Sequence, residues 1–390
     1  MFKEQKCDRE GIRGAHRLIG IAVGVAITCG MASPAHADDA STASTTGIDL
    51  SKMFSFSGFG TVGMTHSSLD TADYTTTFYQ PKGAGASSQY NFSDDTKVGA
   101  QVNAQFTSQL SAVVQVIMQQ TYNNSYAPTI EWANIKYAFT PDFSVRVGRI
   151  ALPSFLSADY RNVGYATPWA HVPIETYNLI PITNSDGVDA SYTLHFGKLD
   201  NTLQVLYGET SAHVPEGPSA IKVTAKNLLG VFDTIEEGAL TVRAGYEQAH
   251  VGLGPLPVTA LTFYNIGAVY DPGNWFVQGE WSRAILPSIL PGYDSWYVIG
   301  GYRIQKFTPY AMYSNQHSLG KSTVLSDSDQ GQKDYSVGVR WDFRKNVDLK
   351  LQYDRVVLPN NSSGYFINPQ QGFALGSSAN VVSAVLDFVF

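Results

Sequence analysis

The chain has 390 residues, with 26 Lys and Arg against 33 Asp and Glu, a formal net charge of −7 at neutral pH. An acidic balance of this kind argues against a nucleic-acid-binding protein. Both cysteines, Cys7 and Cys29, lie near the N-terminus, so the rest of the chain offers neither a disulfide nor a thiolate metal site.

The first residues read as an address. Lys3, Lys6, Arg9, Arg13 and Arg17 form a basic region, Leu18 to Met31 is apolar, and Ala35-His36-Ala37 is an A-x-A cleavage pattern. A signal peptide over residues 1–37 follows, with the mature chain starting near Asp38. A single membrane anchor fits less well, because the apolar stretch is short for a span. Residues 38–53, rich in Asp, Ala, Ser and Thr, read as a flexible lead-in. No later segment holds eighteen consecutive apolar residues, so no transmembrane helix is expected.

From residue 54 onward the pattern is period two. The first strand is expected over Phe54 to Thr65. Val98, Ala100, Val102, Ala104 and Phe106 alternate with Lys97, Gly99, Gln101, Asn103 and Gln105. Val188, Ala190, Tyr192, Leu194 and Phe196 alternate with Asp189, Ser191, Thr193 and His195, and Leu240, Val242, Ala244 and Tyr246 with Thr241, Arg243 and Gly245. Tyr335 to Arg344 and Val347 to Asp354 repeat the pattern. One apolar and one polar face per strand is the expected result.

Connections alternate in length. Short ones fall near Ser108-Gln109, Pro141-Asp142, Gly197–Asn201, Thr234–Gly238, Pro272–Asn274, Gln305-Lys306 and Lys345-Asn346. Long ones fall near 67–95, 121–129, 151–186, 209–219, 250–259, 284–293, 316–333 and 356–379. Together they separate about sixteen strands, with short turns at one rim and long loops at the other. A β-sandwich has no reason to sort its connections this way. An all-β, antiparallel, up-and-down transmembrane β-barrel over residues 54–390 does, with short periplasmic turns and long external loops. An even count lets the first strand pair with the last, Asn380 to Phe390, so that no backbone is left unpaired in lipid. A barrel of this size is too wide for wall side chains to fill, so a water-filled channel is expected. Tyr137, Phe139 and Phe143, Tyr270 and Trp275, and Trp341 and Phe343 flank short turns, as interfacial girdles do.

Three features resemble the general porins of Gram-negative bacteria across the whole mature length. They are the N-terminal strand Phe54-Ser55-Phe56-Ser57-Gly58-Phe59-Gly60, the segment Val145-Arg146-Val147-Gly148-Arg149 leading into the longest loop, and the terminal Phe390 with Phe388, Leu386, Ala384 and Val382 behind it. The resemblance implies an outer-membrane location, passive diffusion of small hydrophilic solutes and ions, a homotrimer, and contact with outer-membrane lipid and lipopolysaccharide. It also implies recognition of Phe390 by the barrel-assembly machinery and a third loop, about 151–186, folded into the lumen as a constriction.

Strand phase and loop position nominate the pore-lining residues. The inward basic residues are Lys97, Lys136, Arg146, Arg243, Arg303, Arg340 and Lys350, with Arg149 where its strand meets the loop; several of them face Asp159 and Glu175 on the long loop, which also carries Arg161, and the inward carboxylates Asp189, Glu247 and Glu280 leave the ion preference open. Opposed charges across an eyelet orient dipolar solutes. A substrate-selective channel for a sugar or organic acid is the alternative, with Phe59, Trp132, Tyr297 and Tyr310 as an inward aromatic track. An outer-membrane enzyme or a secreted adhesin is weaker still. Gly58-Phe59-Gly60-Thr61-Val62-Gly63 matches G-x-G-x-x-G, but it lies within a strand with no helix after it, so it is read as small residues admitting a close neighbour and not as a nucleotide site. No H-E-x-x-H or G-x-S-x-G occurs, and no cofactor or metal is expected.

Overall fold

A computed structural model describes residues 53–216, 219–287, 291–320 and 330–390. The signal peptide over 1–37 and nearly all of the lead-in lie outside the described residues.

Sixteen long antiparallel strands form one closed sheet. They are β1 (Phe54–Ser67), β2 (Lys97–Gln105), β3 (Leu110–Gln119), β4 (Thr129–Ala138), β5 (Phe143–Ala151), β6 (Asn184–Phe196), β7 (Leu199–Glu216) and β8 (Ser219–Glu237). The second half comprises β9 (Leu240–Leu253), β10 (Thr259–Tyr270), β11 (Trp275–Ile285), β12 (Tyr293–Tyr302), β13 (Phe307–Ser318), β14 (Gln332–Arg344), β15 (Val347–Val357) and β16 (Ser378–Val389). Each pairs with its sequence neighbours, and β1 pairs with β16. The first loop adds a small ladder, Asp73–Tyr74 with Ala84–Gly85, and a short strand, Tyr90–Asn91, against the end of β1.

The alternation is realised inside out. Gln101, Asp189, Arg243, Glu247, Glu280, Lys350 and Asp387 are buried, while Val62, Val98, Ile135, Val147, Val188, Leu203, Ile266, Val337, Leu351 and Val382 are exposed. A soluble domain could not tolerate that many exposed apolar residues, whereas a wall facing hydrocarbon requires them. Aromatic contacts mark the short-turn rim. Tyr137 lies 4.8 Å from Phe139 and Phe139 5.4 Å from Phe143 between ring centroids, with Tyr270–Trp275 at 5.4 Å and Trp341–Phe343 at 5.3 Å.

Closure uses the glycines of β1. Gly60 stands opposite Phe388 in the ladder, and Gly58 and Phe390 exchange backbone hydrogen bonds of 2.8 and 2.9 Å. The two terminal rings lie over these glycines, where a Cβ would come within 2.3 Å of either ring. The close neighbour admitted by Gly58 and Gly60 is therefore the C-terminus of the same chain. At the same rim Asn346 closes the β14–β15 turn at φ 63°, a conformation asparagine tolerates better than most residues, and its carbonyl accepts from Val389 N at 3.0 Å.

Two loop expectations are corrected. Residues 209–219 are not a long loop: β7 and β8 keep pairing from Thr210↔Ala225 to Glu216↔Ser219. Pairing of β8 with β9 likewise runs on to Val223↔Leu253, which leaves only 254–258 between β9 and β10. At 18 and 19 residues, β7 and β8 far exceed the roughly 9–11 residues that span a bilayer, so their ends form a hairpin standing above it. Both faces of such a hairpin are wet, so no alternation marks it in the sequence.

Candidate functional site inside the barrel

The connection from β5 to β6, residues 152–183, turns inward. Pro153, Pro168, Pro173 and Pro181 keep it out of a ladder. Its only regular structure is a 3-10 turn, Gly164–Ala166, and a single helical turn, Ile174–Tyr177.

One side of this inner loop is apolar. Leu152, Phe155, Trp169, Tyr177 and Ile180 join Leu206, Phe232, Phe263, Phe276, Tyr297, Ile299, Tyr310 and Met312 of the wall in one buried cluster. Phe155 stacks on Tyr177 at 4.5 Å and meets Phe263 edge-on at 5.5 Å. Polar contacts complete the seat. Ser154 Oγ donates to Glu247 at 2.6 Å, Leu156 N and Tyr177 OH donate to Glu280 at 2.9 and 2.8 Å, and Thr176 meets Ser295 at 2.8 Å. The β9–β13 side of the lumen is thus occupied by the loop.

The tip of the loop is held by charge. Arg340 donates to the carbonyls of Tyr165 and Thr167 at 2.7 and 3.0 Å, and Lys350 Nζ donates to Gly164 O at 2.6 Å and Asp387 at 2.8 Å. A Cβ on Gly164 would sit 2.0 Å from Asp387 and 2.8 Å from Thr61, so glycine is what allows the tip onto the wall.

His171 ties three elements together. Its Nε2 lies 2.9 Å from Tyr74 OH of the first loop, 3.3 Å from Gln352 and 3.7 Å from Asp354 of β15, while Nδ1 lies 3.7 Å from Asp95. Burial opposes charge on the imidazole, but Asp95, Asp354 and Asp94 outweigh it and hold the pKa up at about 9. Burial, followed by the charge of Asp95, pushes Asp94 up to about 8. Residues 359–377 cap the arrangement: Asp73 pairs with Ile367, and Phe366 packs on Tyr74.

The β1–β3 side of the lumen holds a polar cavity. It has a volume of about 90 Å³ and lies between Thr61, Lys97 and Gln119 of the wall, Thr76, Asp94 and Asp95 of the first loop, and Arg161 and His171 of the inner loop. That volume holds several water molecules.

The nominated residues separate into groups. Arg161 lines the cavity, 5.3 Å from the centroid of the Tyr177 ring. Lys136 pairs in register with Arg146, which is ion-paired to Asp189, and Asp159 is exposed within electrostatic reach of Arg146. Arg243 is buried over the Phe232 ring, and Arg340 and Lys350 clamp the loop tip. Glu175 is sequestered, accepting from Ser314 and Gln332 at 2.6 Å each, and burial raises its pKa. Arg149 turns the other way. Arg146 faces inward, Val147 outward and Arg149, two positions on, outward again, where it pairs with Asp186 at 2.7 Å. Three residues from an inward arginine is the wrong phase for the lumen.

Asp94, Asp95 and the first loop were absent from the nominated set. The run Asp94-Asp95-Thr96-Lys97 at the mouth of β2 was the available signal. Of the aromatic track, Tyr297 and Tyr310 are buried with their hydroxyls bound to Glu280 and Gln352, and Phe59 lies on Gly99, so these rings form no open lining.

No curated protein sequence matches the chain. Solved structures share its fold. The outer membrane channel DcaP of Acinetobacter baumannii matches with a TM-score of 0.59 and 12% identity, covering 86% of this chain and 97% of that one. The anion-selective porin from Comamonas acidovorans matches with a TM-score of 0.58 and 12% identity over 86% and 100%. The trimer form of OmpT from Vibrio cholerae matches with a TM-score of 0.54 and 13% identity over 87% and 100%. A family profile described as Gram-negative porin matches residues 22–360. With a closed sixteen-stranded barrel and an inward loop beside a polar cavity, the chain belongs to the Gram-negative porin family, the passive-diffusion channels of the bacterial outer membrane.

Proposed function

We propose that diffusion through this porin is gated in size by the passage between the first loop and the inner loop, and that only small hydrophilic solutes and ions cross. The observation that supports this is the seating of the inner loop. Its apolar side fills the β9–β13 half of the lumen, so transport is confined to the polar lining of Thr61, Lys97, Asp95, Arg161 and His171. Lys136 and Asp159 each lie within electrostatic reach of Arg146 and add charge to the lumen, while Arg340 and Lys350 hold the loop tip and Arg243 is buried over Phe232.

The same proposal takes residues 1–37 as a cleaved signal peptide and Phe390 as the assembly signal. It takes the working unit as a homotrimer embedded in lipid and lipopolysaccharide, and the barrel as a channel and not an enzyme. The trimer form of the structurally similar Vibrio OmpT supports the assembly.

Liposome swelling with sugars of increasing size tests the passage. Permeation that falls steeply across mono- to trisaccharides is expected, and equal entry of all three would rule out a narrow eyelet. Purified protein in a planar bilayer is expected to open in steps of three.

A further inference from the structure

We infer that the passage favours small anions, and that Lys97 of β2 and Arg161 of the inner loop are the side chains that select them; the inference rests on the reading of the passage as the diffusion route.

Most carboxylates around the passage are already engaged. Glu131 accepts from Asn162 and Asn184 at 3.3 Å each. Asp387 takes Lys350 and Thr61, and Glu280 takes Tyr177, Tyr297, Asn265 and the backbone of Leu156. Asp189 takes Arg146 and Gln204, and Glu175 takes Ser314 and Gln332. Asp95 faces His171 at 3.7 Å. Asp94 lines the passage with neither oxygen hydrogen-bonded, and with its pKa held at about 8 it is mostly protonated at neutral pH.

The cations are distributed differently. Among the described residues neither Lys97 nor Arg161 makes an ion pair, yet both line the same cavity and lie close enough to feel each other's charge. Arg161 rests against the Tyr177 ring, and a guanidinium stays protonated even when buried. His171 stands between Asp95, which lines the passage, and Asp354 of β15, which lies behind it, at 3.7 Å from each. The fixed charge left in the passage is therefore positive, and low-dielectric walls focus its field on whatever enters. Lys97 feels Asp95 and Arg161 feels Glu131, but neither cation is salt-bridged, so both remain available to attract an anion. The planar fork of Arg161 suits a small carboxylate as well as a halide.

Reversal potential across a potassium chloride gradient, measured on the full-length purified protein in a planar bilayer, is the test. The wild type is expected to pass chloride over potassium. Removing one charge about 6 Å from the permeating ion changes its occupancy about threefold in water-like surroundings. Lys97→Gln and Arg161→Gln should therefore each lower the chloride-to-potassium ratio by about that factor. Lys97→Glu combined with Arg161→Gln should turn the preference to potassium, and Arg161→Lys should retain the wild-type ratio. Folding of each variant is read from its heat-dependent gel mobility. Should the Arg161 variants fail to fold, Lys97→Gln on the barrel wall decides alone. A conducting wild type with potassium preference or none, or a conducting Lys97→Gln protein with unchanged reversal potential, overturns the anion inference and leaves the diffusion channel standing. A correctly inserted wild-type protein that passes no current overturns the diffusion channel, and the inference with it.

Discussion

The two sides of the inner loop are held by different physics. Toward β9–β13 it is packed, with Phe155, Trp169 and Tyr177 buried against wall aromatics. Toward β14–β16 and the first loop it is suspended by Arg340, Lys350 and His171, from carbonyls and carboxylates. Packing is non-directional and insensitive to pH and salt in the ordinary range, so it sets where the loop lies. Charge and hydrogen bonding are directional and titratable, so they set how closely the tip approaches the wall and hence the width of the passage. A porin built this way has a fixed obstruction and an adjustable edge.

The comparison breaks most completely on the packed side. Phe155→Ala removes a ring that is 1% exposed and touches both Tyr177 and Phe263, which costs about 3–5 kcal/mol. The barrel ladder does not depend on this ring, so the loss is expected in the loop. Open-channel noise should rise, larger sugars should enter, and the barrel should still show heat-dependent gel mobility. A quiet channel of wild-type size would show that the apolar cluster does not position the loop.

On the suspended side, Gly164→Ala is the sharper probe. Its added methyl meets Asp387 and Thr61, and relief requires the tip to move off the wall into the passage. Overpacking of this kind costs about 1–3 kcal/mol. Conductance should fall, in the opposite direction to Phe155→Ala, and a rise would mean that the tip does not border the route.

The barrel was legible in the sequence because its rule is short-range. Period two, tight turns such as Lys345-Asn346, and a terminal Phe390 act within a strand or between adjacent ones. The glycines Gly58 and Gly60 were recognised as a close approach, but the ring that makes the approach comes from the far end of the chain and is known only from register. The site was less legible. Arg161 lines the passage, but Asp94 and Asp95 reach it from the first loop, and no periodicity constrains where a loop of that length folds. Glu175 carries a charge that looks suited to an eyelet, yet it is buried among hydrogen-bond donors, which residue type alone does not reveal.

The suspended side should also respond to pH. His171 is raised from its ordinary 6.5 to about 9, so its charge stabilises the link between the loops fully below 6.5, and that contribution is lost as pH rises through about 9. Asp94, raised from 3.8 to about 8, holds a proton that a solvated carboxyl would release. Its ionisation as pH rises through 8 adds a negative charge beside Asp95. The groups facing His171 are Asp94, Asp95 and Tyr74 from the first loop and Gln352 and Asp354 from β15. Both shifts have the same sign: alkaline conditions loosen the link. Amide hydrogen exchange in segments 70–96 and 164–173 should quicken between neutral pH and about pH 10 beyond the intrinsic base-catalysed increase. Exchange in the segment around Phe155 should show only the intrinsic increase. Equal excess in both would erase the distinction between the two sides.

The smallest expected effect comes from an arginine that the lumen does not see. Arg149 and Asp186 pair on the outer wall, two residues from the end of β5, with side chains 37% and 53% exposed. An exposed pair of this kind contributes about 0–1 kcal/mol. Near the rim of the hydrocarbon band, a charge left without its partner costs a similar amount. Arg149→Gln should therefore leave thermal stability, conductance and reversal potential within error of the wild type. Lys97→Gln, which removes one positive charge from the opposite side of the same sheet, should shift the reversal potential. Each substitution removes one positive charge from the wall, on opposite faces, so a selectivity change in Arg149→Gln comparable to that in Lys97→Gln would mean that strand phase misassigns the residue.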